Sequence, residues 1–255
     1  MDKRTIMPIC QRLIVLTALL SVSLIAIANP AVTPPASVKL AAEDNWAPFA
    51  DQSGQGLSHQ LINRAFSRMQ VNVDSIIVPY ARGLKMAQQG QVDGVFNLVK
   101  EQSTEHLFVF GQQPLFTASA SFYQNNRHPL KVSTKHQLPA GTRIGIIEGY
   151  EYGDELIHLD QLELLAVSNH NQLINLLLLN RIDAAIMYDQ VAKQYLQRMQ
   201  VSRDISRQFH NHTGVVYLAF SKQNPDAQTL ADTLDAGLLA LKADGSYQQI
   251  MAMVK

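Results

Sequence analysis

Three carboxylate residues, Glu43, Glu148 and Glu151, lie in segments that also carry aromatic or glycine residues, and such groups can bind a cation or transfer protons. Glu43 stands three residues before Trp46, and the other two flank Gly149. A carboxyl group acts as a general acid or base only where an apolar environment raises its pKa, which a sequence does not reveal. The face of Trp46 suits an apolar group or a cation, and the alternative is an ordinary core residue.

Arg82 and the turn around Gly149 are candidates for binding an anionic group. Arg82 stands at the start of a predicted helix, where the helix dipole favours anions, so the dipole does not explain a cation there. The alternative is an exposed arginine on the first turn. The backbone N–H groups near Gly149 and Tyr150 can hold an anion, whereas Glu148 and Glu151 would repel one and suit a cation. The alternative is an ordinary glycine turn.

Several function classes are disfavoured by composition and spacing. Lys plus Arg and Asp plus Glu number 21 each, so no basic surplus indicates nucleic-acid binding. One cysteine cannot form a disulfide framework or a cysteine zinc site. His210 and His212 alternate as two metal ligands on one strand face would, but no third ligand is evident, and a polar strand end is favoured. We predict no metal, no cofactor and no nucleic-acid partner.

The first 28 residues have the pattern of a secretory signal peptide. Lys3, Arg4 and Arg12 precede the apolar stretch 13–28, which ends in an Ala-Ile-Ala cleavage pattern. An uncleaved anchor is the alternative, but the stretch is shorter than the roughly 20 residues that span a membrane. Residues 29–36 are predicted to be a loose leader. The mature chain is therefore expected in the periplasm.

Beyond the leader, hydrophobic patterns alternate between strand and helix spacing. Strands are predicted at 38–42, 71–78, 92–98, 107–110, 118–123, 143–147, 162–167, 184–187 and 215–221. Helices are predicted at 57–69, 81–89, 154–158, 172–179, 191–199, 226–242 and 247–254. This alternation predicts an α/β fold with mostly parallel sheets flanked by helices, and its restart near residue 117 indicates two lobes. A cleft between two such lobes is a natural site for a small molecule.

Seven segments carry a resemblance to one family. They read DNWAPF, GLSHQLI, VPYARGLKMAQQGQVDGVFN, FVFGQQPL, GTRIGIIEGYEYG, NRIDAAIMYD and LKADGSYQQIM. Their order and spacing resemble bacterial periplasmic solute-binding proteins of family 3, the polar-amino-acid type. The resemblance implies the two-lobe type II periplasmic-binding-protein fold. Lobe 1 would comprise residues 37–117 plus 215–255, lobe 2 residues 118–214, and the crossovers would lie near 115–119 and 213–216.

The resemblance also implies which residues contact the ligand. The loop with Glu43 and Trp46 would line it, and Tyr80 would form a second aromatic wall. The turn with Gly149 and Tyr150 matches the ligand loop of the second lobe. These residues are predicted to be ligand-binding, and so is Arg82, because of its unusual place at a helix start.

At two positions this chain departs from the family pattern. After Asn97, which ends its predicted strand, the family carries an arginine that binds the ligand's α-carboxylate, but Thr104 takes that place in this chain. The family's aspartate for the α-ammonium group corresponds to Tyr188, with Asp189 next to it. Neighbours on a strand point to opposite faces, so Asp189 replaces it only if the chain bends or the register shifts. Asn97, Thr104, Tyr188 and Asp189 complete the predicted site.

The favoured hypothesis is a monomeric binding protein that captures a small polar, amino-acid-like solute and delivers it to an inner-membrane ABC transporter. No chemical step is predicted. The alternatives are an enzyme of the dehydratase or lytic type on the same fold, using Glu43, Glu148 or Glu151, and a ligand-sensing partner of a membrane receptor. The favoured hypothesis requires a groove between two halves that the chain's own side chains do not fill.

Overall fold

The structure, a computed structural model, describes residues 34–254. The predicted signal peptide and residues 29–33 of the predicted leader lie outside the described residues. Contacts group the described residues into one compact unit. Within the described part of the chain, no helix combines the length and apolar character needed to cross a membrane.

Strands and helices alternate through most of this unit. The strands are β1 (Ser37–Glu43), β2 (Asn45–Trp46), β3 (Ala50–Asp51), β4 (Asn72–Val78), β5 (Gly94–Val99), β6 (Phe108–Phe110), β7 (Phe116–Asn125), β8 (Thr142–Ile147), β9 (Leu162–Val167), β10 (Ala184–Tyr188) and β11 (Ile205–Ser221). The helices are α1 (Leu57–Arg68), α2 (Tyr80–Gln88), α3 (Gln102–Glu105), α4 (His170–Leu178), α5 (Asp189–Arg198), α6 (Ala227–Ala243) and α7 (Ser246–Met251).

The sheet joins two parallel groups of strands through an antiparallel pair. Its order is β4-β1-β5-β11-β7-β10-β8-β9, and β6 also pairs with β11. β1 is parallel to β4 and β5, and β8 is parallel to β9 and β10. β7 and β11 run antiparallel along most of their length and connect the two groups. The predicted α/β class is therefore confirmed, with helices flanking the sheet.

Three local predictions differ from the structure. Residues 154–158 were expected to be helical, but only Leu156–His158 forms a single 3-10 turn. Gln102–Glu105 forms a short helix that its polar composition did not suggest. β11 begins at Ile205, well before the predicted start at 215, because β7 supplies it with backbone partners along its polar half. Long-range pairing of this kind overrides a weak local pattern.

The strand and helix ends position the polar groups of one groove. β1, β5 and β10 end at Glu43, Val99 and Tyr188, respectively, and these strand ends face the groove, as is usual where ligands bind α/β sheets. Helix α1 buries Leu61, Ile62 and other apolar residues on one face. This burial fixes the first turn of α1 and thereby places the Ser58 hydroxyl beside β5.

Candidate functional site

A buried polar network begins where β1 and β5 end. The Ser58 hydroxyl donates to the Asn97 side-chain oxygen at 2.5 Å, and the Asn97 side-chain nitrogen donates to Glu43 at 2.8 Å. Asn97 has a backbone φ of 59°, in the left-handed region that asparagine tolerates better than most residues. Glu43 and Asn97 are both almost fully buried. The network therefore fixes the Glu43 carboxyl group at the inner wall of the groove.

Two hydrogen bonds between tyrosines and carboxyl groups cross the groove. The Tyr150 hydroxyl, which follows β8, donates to Glu43 at 2.8 Å. The Tyr80 hydroxyl, at the start of α2, donates to Glu151 at 2.9 Å. The backbone N–H of Val99 lies 3.4 Å from the same carboxyl group. These contacts bring together the strand ends of the two parallel groups.

Aromatic rings surround the two carboxyl groups. The rings of Tyr80 and Tyr150 meet edge to face with centroids 4.9 Å apart. Tyr188 packs edge to face against Trp46 at 5.2 Å and lies 6.2 Å from Tyr150. The Tyr188 hydroxyl donates to the backbone carbonyl of Glu151 at 2.6 Å. The rings keep water away from the carboxyl groups.

Burial changes the protonation of both carboxyl groups. Desolvation raises the pKa of Glu43 from 4.5 to about 8, and the hydrogen bonds from Asn97 and Tyr150 offset only part of this effect. Desolvation likewise raises the pKa of Glu151 to about 8, against the hydrogen bond from Tyr80. In this closed arrangement both groups are therefore mainly protonated at neutral pH.

The centre of the groove is filled by these side chains. The cavity enclosed between Glu43, Tyr80 and Tyr150 measures only about 40 Å³. A second cavity of about 290 Å³ remains on the other side of Tyr150, between Thr104 and Gly153. The expectation of an unfilled groove is therefore wrong at its centre, because the tyrosines and carboxyl groups satisfy one another across it.

Six of the predicted ligand-binding residues lie in this arrangement: Glu43, Trp46, Tyr80, Asn97, Tyr150 and Tyr188. Gly149 has a φ of 82°, and a Cβ there would lie 3.3 Å from Ala81 on the opposite wall. The positive φ and the close approach of the walls therefore favour glycine at this position. Whether these residues contact a ligand stays a prediction.

Three predicted residues occupy other surroundings. Arg82 is exposed on α2. The Thr104 hydroxyl donates to the Val99 carbonyl at 2.8 Å and accepts from the Glu101 N–H at 3.0 Å, so it caps α3, although it also lines the larger cavity. Asp189 begins α5 and accepts hydrogen bonds from Ser121 at 3.1 Å and Tyr123 at 2.9 Å.

Asp189 therefore lies among side chains of the β7–β11 connection rather than beside Glu43 and Glu151. Arg207 of β11 approaches it at 3.5 Å. The chain bends at this point because β10 ends at Tyr188 and α5 starts at the next residue. The bend directs Tyr188 into the groove and Asp189 towards the connecting strands.

Sequence reasoning missed Glu101 as a groove residue. Its carboxyl group accepts from the backbone N–H of Gly153 at 3.0 Å and lies 3.0 Å from a ring nitrogen of His212. The E-x-x-T spacing from Glu101 to Thr104 is a helix-capping signal that could have indicated the turn. Asn45 and Tyr195 were also missed; they form a hydrogen bond across the groove.

Within residues 34–254, no three His, Cys, Asp or Glu side chains come together as a metal site. His212 contacts Glu101, whereas His210 lies 3.4 Å from Thr213. A bulge between the two histidines breaks their alternation along β11.

The sequence profile of the bacterial extracellular solute-binding proteins, family 3, matches residues 38–253. The match covers most of the chain, so the protein belongs to this family. No curated protein sequence matches it significantly.

Solved structures share the fold at low sequence identity. A periplasmic binding protein of an arginine transport system from Legionella pneumophila is 18% identical with a TM-score of 0.73, covering 86% of this chain and 99% of its own. A histidine kinase sensor domain with similarity to periplasmic binding proteins is 15% identical with a TM-score of 0.73, covering 85% and 95%. An ancestral amino-acid-binding protein, a precursor of cyclohexadienyl dehydratase, is 16% identical with a TM-score of 0.70, covering 86% and 95%. The chain thus has the type II periplasmic-binding-protein fold.

Proposed function

We propose that this chain binds a small polar, amino-acid-like solute in the groove and, in the periplasm, delivers it as a monomer to an inner-membrane ABC transporter. The observation that carries the proposal is the bond between Glu43 and Tyr150, at 2.8 Å. These residues stand at strand ends of the two parallel groups, so one ligand between them would contact both. A protein of this family uses such shared contacts to favour closure on its solute.

The proposed lobes are residues 37–117 plus 215–255 and residues 118–214. In support, each range contains one of the two parallel strand groups. The proposed crossovers coincide with a paired part of β7 and β11, where Thr117 faces Val215 and Ser119 faces Thr213. Bending of these two strands would separate the walls of the groove without disturbing either parallel group.

The filled centre of the groove does not meet the requirement that the sequence-based hypothesis set, so the proposal further requires this centre to open for ligand entry. The bonds Tyr150–Glu43 and Tyr80–Glu151 must break, and the ligand's polar groups would then replace them. A solute that offers partners to both carboxyl groups shifts the population towards a ligand-closed state. Each broken bond contributes about 1 kcal/mol of net stability, an amount that a well-placed ligand can replace.

Native mass spectrometry of the freshly purified chain, followed by thermal-shift screening of polar solutes, tests the proposal. A true ligand should raise the melting temperature in a concentration-dependent way. It should also change the emission of Trp46, the single tryptophan, which packs against Tyr188. A solute that raises the melting temperature but leaves this emission unchanged would place binding elsewhere. If no solute is bound by any measure, the proposal fails.

A second candidate function, catalysis, is favoured by one observation. Burial raises the pKa of Glu43 and Glu151 to about 8, a value that suits a general acid at neutral pH. The ancestral precursor of a dehydratase has the same fold. Recovery of bound solute unchanged after long incubation supports binding alone, whereas turnover that Glu43→Gln or Glu151→Gln abolishes would establish the enzyme. The histidine kinase sensor domain also shares the fold. If the chain is instead a ligand-sensing partner of a membrane receptor, it should bind that receptor only when the ligand is present.

A further inference from the structure

The walls of the two groove cavities carry acidic side chains on both sides of Tyr150. The small cavity and the larger one are lined by six such residues between them: Glu43, Asp44, Glu148, Glu101, Glu151 and Asp154. Among the described residues that line these two cavities, none is lysine or arginine. The side chains of these walls that can carry a full charge are therefore all acidic, in a chain whose formal net charge is zero.

The two most buried of these carboxyl groups have neutral partners. Glu43 accepts hydrogen bonds from Asn97 and Tyr150, and Glu151 from Tyr80 and the backbone of Val99. Within residues 34–254, no lysine or arginine acts on the pKa of either group. A buried carboxylate is costly unless a cation accompanies it, so these groups hold a proton when the groove is closed on itself. A ligand cation would replace that proton.

Aromatic rings supply a second and independent feature. Tyr80, Tyr150, Tyr152 and Tyr188 form a chain of neighbouring rings, with Tyr152 stacked on Tyr188 at 5.8 Å. Rings arranged around a small space attract an ammonium or guanidinium group through their electron-rich faces.

An anchor for a ligand carboxylate is missing from the same walls. A guanidinium group binds a carboxylate through two parallel hydrogen bonds, and few other side chains can replace it. The segment from Lys100 to His106 contains no arginine. Thr104 uses its hydroxyl to cap α3, and Arg82 is exposed on α2. An α-carboxylate placed between these walls would face acidic groups without a counter-charge.

We infer that the ligand is an organic cation without a carboxylate, such as an amine or guanidinium compound, held between Glu43 and Glu151 against the tyrosine rings. This inference rests on the proposed function as a solute-binding protein, and it replaces the amino-acid-like solute of that proposal with a cation that lacks the carboxylate. The cation occupies the position at which the two carboxyl groups now meet Tyr150 and Tyr80, and each carboxyl group loses its proton on binding.

Isothermal titration calorimetry with matched pairs tests the inference. Agmatine, cadaverine and putrescine are compared with arginine, lysine and ornithine, which differ from them by one carboxylate; glutamate and succinate represent anions. We expect at least one decarboxylated member to bind at least tenfold more tightly than its amino acid. Glu43→Gln and Glu151→Gln should each weaken it at least tenfold. Glu163→Gln, on the exposed part of edge strand β9, is the matched control and should leave affinity unchanged.

The outcomes separate the two proposals. If an amino acid binds more tightly than its decarboxylated partner, or an anion binds, solute binding stands and the cation inference is wrong. If both glutamine variants remain folded by circular dichroism and bind the amine as the parent chain does, the cation does not sit between these groups. If no member of the panel binds and native mass spectrometry finds no co-purified molecule, the proposed function fails as well.

Discussion

At the scale of single residues, Glu43 and Glu151 determine how the groove responds to its surroundings. Each carboxyl group is buried among tyrosines and lacks a lysine or arginine partner within the described residues. Each is bonded to a tyrosine in the filled groove, and the inferred ligand cation would pair with its ionised form. The same physical property accounts for the filled groove and for the inferred ligand class.

We predict that the free energy of unfolding falls as the pH rises from 7 to 8.5. The folded pKa of both carboxyl groups is about 8 against an ordinary value of 4.5, so the folded chain binds more protons in this range. The stabilisation from these protonated groups is complete below their ordinary pKa of 4.5, and it is lost as the pH rises through the folded pKa of about 8. Burial lowers the pKa of His170 from 6.5 to about 3, so this side chain takes up a proton on unfolding mainly below pH 6.5. It therefore contributes little to the pH dependence between pH 7 and 8.5.

Urea denaturation at the two pH values measures this dependence. Glu43→Gln and Glu151→Gln should each flatten it, and the exposed Glu163→Gln should not. A stability that is constant or rises over this range would show that Glu43 and Glu151 are already ionised in the folded chain at neutral pH.

Arg82→Ala should change ligand affinity less than threefold. The side chain is exposed on α2, where water screens its charge and where it lines neither groove cavity. Calorimetry with the ligand identified by screening provides the measurement. A loss of tenfold or more would restore the sequence-based prediction that Arg82 anchors an anionic group.

At the scale of elements, α3 lies where the family resemblance predicts a ligand anchor, and its polar side chains have structural partners. Glu101 and Thr104 form reciprocal capping bonds around this short helix. Glu101 also reaches across to Gly153 and His212. The turn therefore joins the walls of the groove through its own polar groups.

Thr104→Val should lower the free energy of unfolding by about 1 kcal/mol, because a valine of similar shape cannot cap the turn. Ligand affinity should change little, since the hydroxyl already bonds to Val99 and Glu101. The control is Thr134→Val, an exposed threonine whose side chain makes no capping bond. Retained stability together with a large loss of affinity would instead make Thr104 a ligand contact.

At the scale of the whole molecule, β7 and β11 are the strands that join the two parallel groups. The proposed opening of the groove would bend these strands and break the tyrosine–carboxyl bonds together. The proposed closure would thus be coupled to the protonation of Glu43 and Glu151, and Glu151 lies beside the joining strands, because Val99 contacts its carboxyl group and pairs with Val216 of β11. Protonation and closure would be coupled because the tyrosine–carboxyl bonds that fill the groove also hold its two walls together.

The double variant Tyr80→Phe/Tyr150→Phe should shift the ligand-free chain towards an open form. It removes both donors to the groove carboxyl groups and keeps the rings. We expect a larger radius of gyration in small-angle scattering and a red-shifted Trp46 emission, since opening exposes the indole. Tyr217→Phe, a partly buried tyrosine on β11, is the control. Unchanged scattering and emission would show that these bonds do not hold the groove closed.

The sequence by itself determined the alternation of strands and helices, because hydrophobic spacing reports which face of an element is buried. Seven segments in order along the chain carried the family resemblance. It also placed Glu43, Trp46, Tyr80 and Tyr188 near strand or helix ends. The tertiary structure alone decided their partners, since Glu43 meets Tyr150 and Glu151 meets Tyr80 only after distant strands pair. It likewise turned Asp189 to the connecting strands, because the bend after Tyr188 depends on packing and not on local pattern.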